Sequence, residues 1–178
     1  MLPAIARHIV FPIHERILRR RTVLYGRRLE ASQWFSPDEL VEFQCQKLRD
    51  LLFHAEQRTT YYRRRIRDAD IDVRHDDPWQ MLARLPLLSK NDIRRNADEL
   101  LWRGAPGGVF PYATGGSSGE PLHFHVDRRR QGYDQAARIR THRWFNVDIG
   151  DREIFIWGSP VEFDRTDRLK RLRDALFN

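Results

Sequence analysis

The run Thr114-Gly115-Gly116-Ser117-Ser118-Gly119-Glu120-Pro121 constrains this chain more than any other feature. Three glycines in eight residues open backbone conformations and close approaches that side chains block. Three hydroxyls and several backbone N–H groups can turn toward one anion, which is what gripping phosphate oxygens requires. Val109 to Tyr112 predicts a strand before the run. After it, Leu122, Phe124 and Val126 alternate with His123, His125 and Asp127, which predicts a second strand with one wet face. A Walker loop needs lysine and a hydroxyl residue after its last glycine, with a helix next, and Glu120 and Pro121 stand there instead. The string from Gly115 to Gly119 also fits a nucleophile elbow at Ser117, but an elbow leads into a helix, not into a proline and a strand. A dinucleotide loop fails on glycine spacing and on the same missing helix.

The segment before the loop reads as mainly helical. Ser36-Pro37-Asp38-Glu39 supplies an N-cap hydroxyl, a proline at the first helical position and a glutamate three residues after the cap. Val41, Cys45, Leu48, Leu52 and Ala55 then recur at helical steps and predict one buried face, on a helix that runs on toward Tyr61 and Tyr62. Cys45 on that face reads as a structural thiol. Ser89 to Asp92 opens a further short helix, ended by Gly104, Pro106, Gly107 and Gly108. At the start of the chain Ile9, Ile13 and Ile17 share a face, and Pro12 breaks or starts that helix. Those ingredients suit either a surface helix packed on the body or a monotopic membrane contact.

After the loop, Tyr133, Ala136, Ala137, Arg140 and Trp144 follow helical spacing, and Ile154 to Trp157 predicts a short buried strand of a parallel sheet. The expected fold class is therefore α/β. Residues 1–103 form a mainly helical region, and residues 104–178 form a strand-loop-strand-helix-strand segment that begins a mixed or parallel sheet.

Composition bounds the rest. With 178 residues the chain can bury a core without disulfide help, and its one cysteine forms no internal bridge. No run approaches the roughly 18 apolar residues of a membrane span. The net charge of +7 comes from 32 basic and 25 acidic residues, and all but Lys47, Lys90 and Lys170 of the basic ones are arginines. Such charge permits an anionic partner without requiring one. His123 and His125 share a strand face, but no third metal ligand stands near them in the sequence, so no metal site is expected. Arg128 to Arg130 sit at a helix start, where the helix dipole gives cations no advantage, and read as solvated charge.

Thr114 to Pro121 resembles the phosphate-binding loop of adenylate-forming enzymes, in particular the phenylacetate–coenzyme A ligase family with its capsule and exopolysaccharide relatives. Tyr61-Tyr62-Arg63-Arg64, the stretch Leu85 to Ile93, Gly150-Asp151-Arg152 and Ile156-Trp157-Gly158-Ser159-Pro160 match that family's N-terminal part in order and spacing. Two positions depart from its pattern: Glu120 stands for the family's lysine, and Gly115 for its serine or threonine. The resemblance implies an incomplete N-terminal part of an adenylate-forming enzyme fold. It implies that Thr114, Gly115, Gly116, Ser117, Ser118 and Gly119 hold the β- and γ-phosphates of ATP with Mg²⁺, for activation of a small carboxylic acid that coenzyme A could then accept. The family's adenine pocket and catalytic lysine match nothing here, so no catalytic set is complete and the chain is expected to be inactive alone. It is expected in the cytoplasm or peripherally at the inner membrane face, and it would pair with a missing C-terminal part or with itself. The alternative is a noncatalytic basic module that binds a membrane surface, a protein partner or, least favoured, nucleic acid.

Overall fold

The computed structural model describes residues 2–114 and 121–154. These fall into two compact units. One comprises residues 1–30, 113–121 and 128–178, and the other residues 31–112 and 122–127.

In the first unit the chain starts with α1 (Pro3–Ile5), a π-helical turn (Ala6–Val10) and α2 (Phe11–Ile17), which form one continuous helical run. Pro12 does not break it. The wide turn bonds the Phe11 N–H to the Ala6 carbonyl, five residues back, and the proline, which has no N–H to give, follows just inside α2. Arg19, at φ 54°, turns the chain into α3 (Thr22–Ser32). In the same unit, the Tyr25 ring of α3 stacks on Tyr133 of α9 (Arg128–Arg143), with centroids 3.9 Å apart. That contact needs a glycine, because a Cβ on Gly132 would sit 2.9 Å from Tyr25 Cε2.

The second unit is built on α4 (Pro37–Arg58). The capping box predicted at Ser36 is formed: the Glu39 N–H donates to Ser36 Oγ, and the Ser36 N–H donates to Glu39 at 2.8 Å. The helix stops earlier than its periodicity suggests. Thr59 takes an extended conformation, donates its hydroxyl to the Ala55 carbonyl and caps a new helix, α5 (Thr60–Asp68), by accepting from the Tyr62 N–H. The predicted apolar face is buried only in part. Leu52 is buried, Cys45, Leu48 and Ala55 are half-buried, and Val41 is exposed. Leu52 joins Ile66, Ile71, Val73 and Met81 in the core, with Leu48, Tyr62, Ala69 and Leu85 packed around them. Met81 comes from α6 (Pro78–Arg84), which Asp77 caps through the Trp79 and Gln80 N–H groups. Arg49 ties α4 to the connection after Val73, with its guanidinium donating to the carbonyls of Val73, Arg74 and Asp76. Then come α7 (Lys90–Arg95), capped by Ser89 as its sequence predicts, and α8 (Ala97–Leu100).

The expected α/β fold with a mixed or parallel sheet is not what forms. Among the described residues the chain is mostly helical, and its one sheet is the pair β1 (Val109–Ala113) and β2 (His123–Asp127). Only residues 114–122 join these strands, far too few for the crossover that parallel pairing demands, so the pair is an antiparallel hairpin. The third strand, expected from Ile154, does not begin there: Ile154 is almost fully exposed and irregular, and Phe155 to Trp157 lie outside the described residues. The short apolar run invited a buried strand, and periodicity alone cannot place a run of four residues.

Candidate functional site

The glycine-hydroxyl run occupies the hairpin connection. Thr114 and Pro121, its two ends, are exposed. Gly115, Gly116, Ser117, Ser118, Gly119 and Glu120 lie outside the described residues. The strands on either side are ordered by their own side chains. Leu122 and Val126 are buried, Phe124 is half-buried with its ring 5.4 Å from that of Tyr112, and His123 and His125 face outward. The alternation read from the sequence therefore sets the register of β2. Neither histidine joins a group of three or more potential metal ligands among the described residues.

The other stretches that carried the resemblance have structural work. Tyr61 is buried edge-on to Tyr62, with ring centroids 5.3 Å apart. Burial pushes the Tyr62 hydroxyl above its ordinary pKa, and Tyr61 adds to the effect. Arg63 donates to the carbonyls of Glu56 and Gln57, at the end of α4, and Arg64 pairs with Glu99 at 3.0 Å. Ser89 caps α7 together with Asp92, whose carboxyl the Ser89 hydroxyl and N–H hold below the usual range. Asp151 accepts from the Asp148 N–H in the turn at Gly150, which has φ 95°. Ile156 to Pro160 lie outside the described residues. Arg128 donates to Gln131 at 3.0 Å, Arg129 lies over the Tyr133 ring, and Arg130 pairs with Asp134. The three arginines are thus engaged along α9 itself.

Sequence reasoning missed an ion network in the first unit. Arg143 donates to both oxygens of Asp148, at 3.0 and 3.1 Å, and also pairs with Glu30, while Arg7 approaches Asp148 at 3.4 Å. Partial burial works against charge on both main partners. The hydrogen bonds prevail, holding the Asp148 carboxyl below its usual range and Arg143 above its own. The network borders a cavity of about 340 Å³ whose apolar wall includes Phe11, Val23, Ile139 and Ile149. Its partners are far apart in sequence, and no local pattern announces them. It also missed the length of the isoleucine stripe at the N-terminus, for which the four-residue spacing was the available signal.

The sequence matches no protein-family model, no curated protein and no solved structure. Together with the hairpin in place of a mixed sheet, this corrects the descriptions that the resemblance invited. The terms ligase, adenylate-forming, phenylacetate–CoA ligase-like, AMP-binding, ATP-binding and nucleotide-binding rest on no matched signature, and they are withdrawn as descriptions of this chain.

Proposed function

We propose that this chain is a noncatalytic module that holds a magnesium-bound polyphosphate. Thr114, Ser117 and Ser118, with backbone N–H groups at Gly116 and Gly119, would grip its phosphate oxygens, and the chain completes no reaction alone. The observation that supports this reading is the composition of the connection: three hydroxyls and three glycines inserted between two paired strands. An ordinary hairpin needs only two to five connecting residues and no such run. Hydroxyl and backbone N–H donors directed at one anion offset the negative charge of polyphosphate oxygens. Glu120 fits the reading if its carboxylate points away from the phosphates or meets the magnesium ion, because a bare carboxylate beside them is repelled.

The test is phosphorus NMR of magnesium pyrophosphate titrated with the chain and with a Ser117→Ala/Ser118→Ala variant. The reading expects broadening and a shift of the phosphorus line with the parent chain, and their loss with a variant of unchanged circular dichroism. Equal broadening by both chains would point instead to diffuse attraction by arginines. Such attraction should collapse as salt rises.

A further inference from the structure

The helical run from Pro3 to Ile17 is amphipathic in an inverted sense. Its inner face buries Ala6 and a carboxylate, Glu15, which is 4 % exposed. Glu15 accepts a hydrogen bond from Thr22, itself 1 % exposed, and lies 3.8 Å from Arg20 and 3.9 Å from His14. Its outer face carries Ile5, Ile9, Ile13 and Ile17 at four-residue steps, 42 %, 54 %, 55 % and 74 % exposed, with Leu2 beyond them at 68 %. A surface helix ordinarily does the opposite, hiding its aliphatic stripe and wetting its acids.

The charge pattern says what the stripe faces. Residues 1–29 contain seven arginines and one acid, Glu15, for a net +6, while the remaining 25 basic and 24 acidic residues nearly cancel. Almost the whole excess charge of the chain therefore sits on this segment, and its single acid is buried. Arg16, Arg19, Arg21, Arg27 and Arg28 are exposed and form no ion pair among the described residues. A protein-facing stripe has no need of such charge, and a nucleic-acid surface has no need of isoleucines. We propose that residues 2–17 lie in the interface of an anionic lipid membrane, with the isoleucines seated among the acyl chains and the arginines of residues 16–28 at the headgroups. The run is too short and too charged to cross the bilayer, and no described helix is long and apolar enough to do so. This seat is independent of the phosphate loop.

The experiment is co-sedimentation of the full chain with vesicles of phosphatidylcholine alone and of phosphatidylcholine with phosphatidylglycerol. Binding should require the anionic lipid and weaken with salt. Arg19→Gln/Arg21→Gln should lower vesicle affinity about 30-fold, at the energy typical of one basic residue near an anionic surface. Ile9→Ser/Ile13→Ser changes only exposed side chains and should abolish sedimentation with the circular dichroism unchanged. An Ile9→Trp variant should show a blue-shifted emission on adding anionic vesicles, and quenching by lipids brominated in the acyl chain. No sedimentation of the parent chain with anionic vesicles overturns the proposal. So does sedimentation indifferent to the serine pair, which would reduce the segment to a polyanion-binding basic patch. Loss of a dimer in the serine variant without any change in vesicle binding also overturns it, because the stripe would then be a contact between copies.

Discussion

Replacing Arg49 should destabilise the second unit more than any other change at a half-buried charge. Its guanidinium spans three carbonyls that no helix or strand satisfies, at 3.0 Å to Val73, 2.8 Å to Arg74 and 2.9 Å to Asp76. These bonds hold the connection after Ile71 against α4, so the core residues Ile71 and Val73 depend on them for position. A hydrogen bond from a charged donor contributes about 1.5–3 kcal/mol when buried. Here the side chain is half-buried and water can reach part of the group in its absence, so the three bonds together should be worth about 2–3 kcal/mol. With a urea dependence of about 2 kcal/mol per molar, Arg49→Ala should lower the unfolding midpoint by about 1–1.5 M. Arg49→Lys separates charge from shape. A single ammonium cannot reproduce the planar fork, so lysine should recover no more than about a third of the loss. Urea titrations followed by circular dichroism read both numbers. A lysine variant with the parent midpoint would refute the geometric account, and an alanine variant within about 0.3 M of the parent would refute the clamp altogether.

Met81 is 0 % exposed at the centre of the same core, so Met81→Ala should cost about 3 kcal/mol, whereas Leu51→Ala, at a side chain 60 % exposed, should change stability by less than about 0.5 kcal/mol in the same titration. The Asp148 carboxyl is held below its ordinary value in the folded chain, so its contribution is present at neutral pH, above the unfolded value, and is lost as the pH falls through the lowered folded value. An acid titration of stability should therefore show a fall below about pH 4 that is shallower in Asp148→Asn, with the variant already about 1–2 kcal/mol less stable at pH 7. Equal acid profiles for the two chains would remove Asp148 from the network's energetics.

What the sequence makes legible here is local. Ser36, Pro37 and Glu39 fix the start of α4 because a capping box is closed within four residues, and Ser89 with Asp92 does the same for α7. The strand at His123–Asp127 reads directly from its alternation, since its two faces meet different surroundings. Less local outcomes escape such reading. The stop at Thr59 is a choice between continuing one helix and capping another, and Thr59 serves the second through both its hydroxyl and its backbone. Pro12, which reads as breaking or starting a helix, stands in the first turn of α2, and a π turn joins that helix to the run before it. Arg143, Glu30, Asp148 and Arg7 meet only in three dimensions. Of the candidate loop, the sequence shows the residue types, and the described structure shows the paired strands at its ends.

The most direct test of the phosphate-holding reading is calorimetric titration of the purified chain with magnesium pyrophosphate at moderate salt. The reading predicts saturable heat at one site per chain, abolished by Ser117→Ala/Ser118→Ala. A folded chain that gives no heat with magnesium pyrophosphate, or a double variant that binds as the parent does, would contradict it.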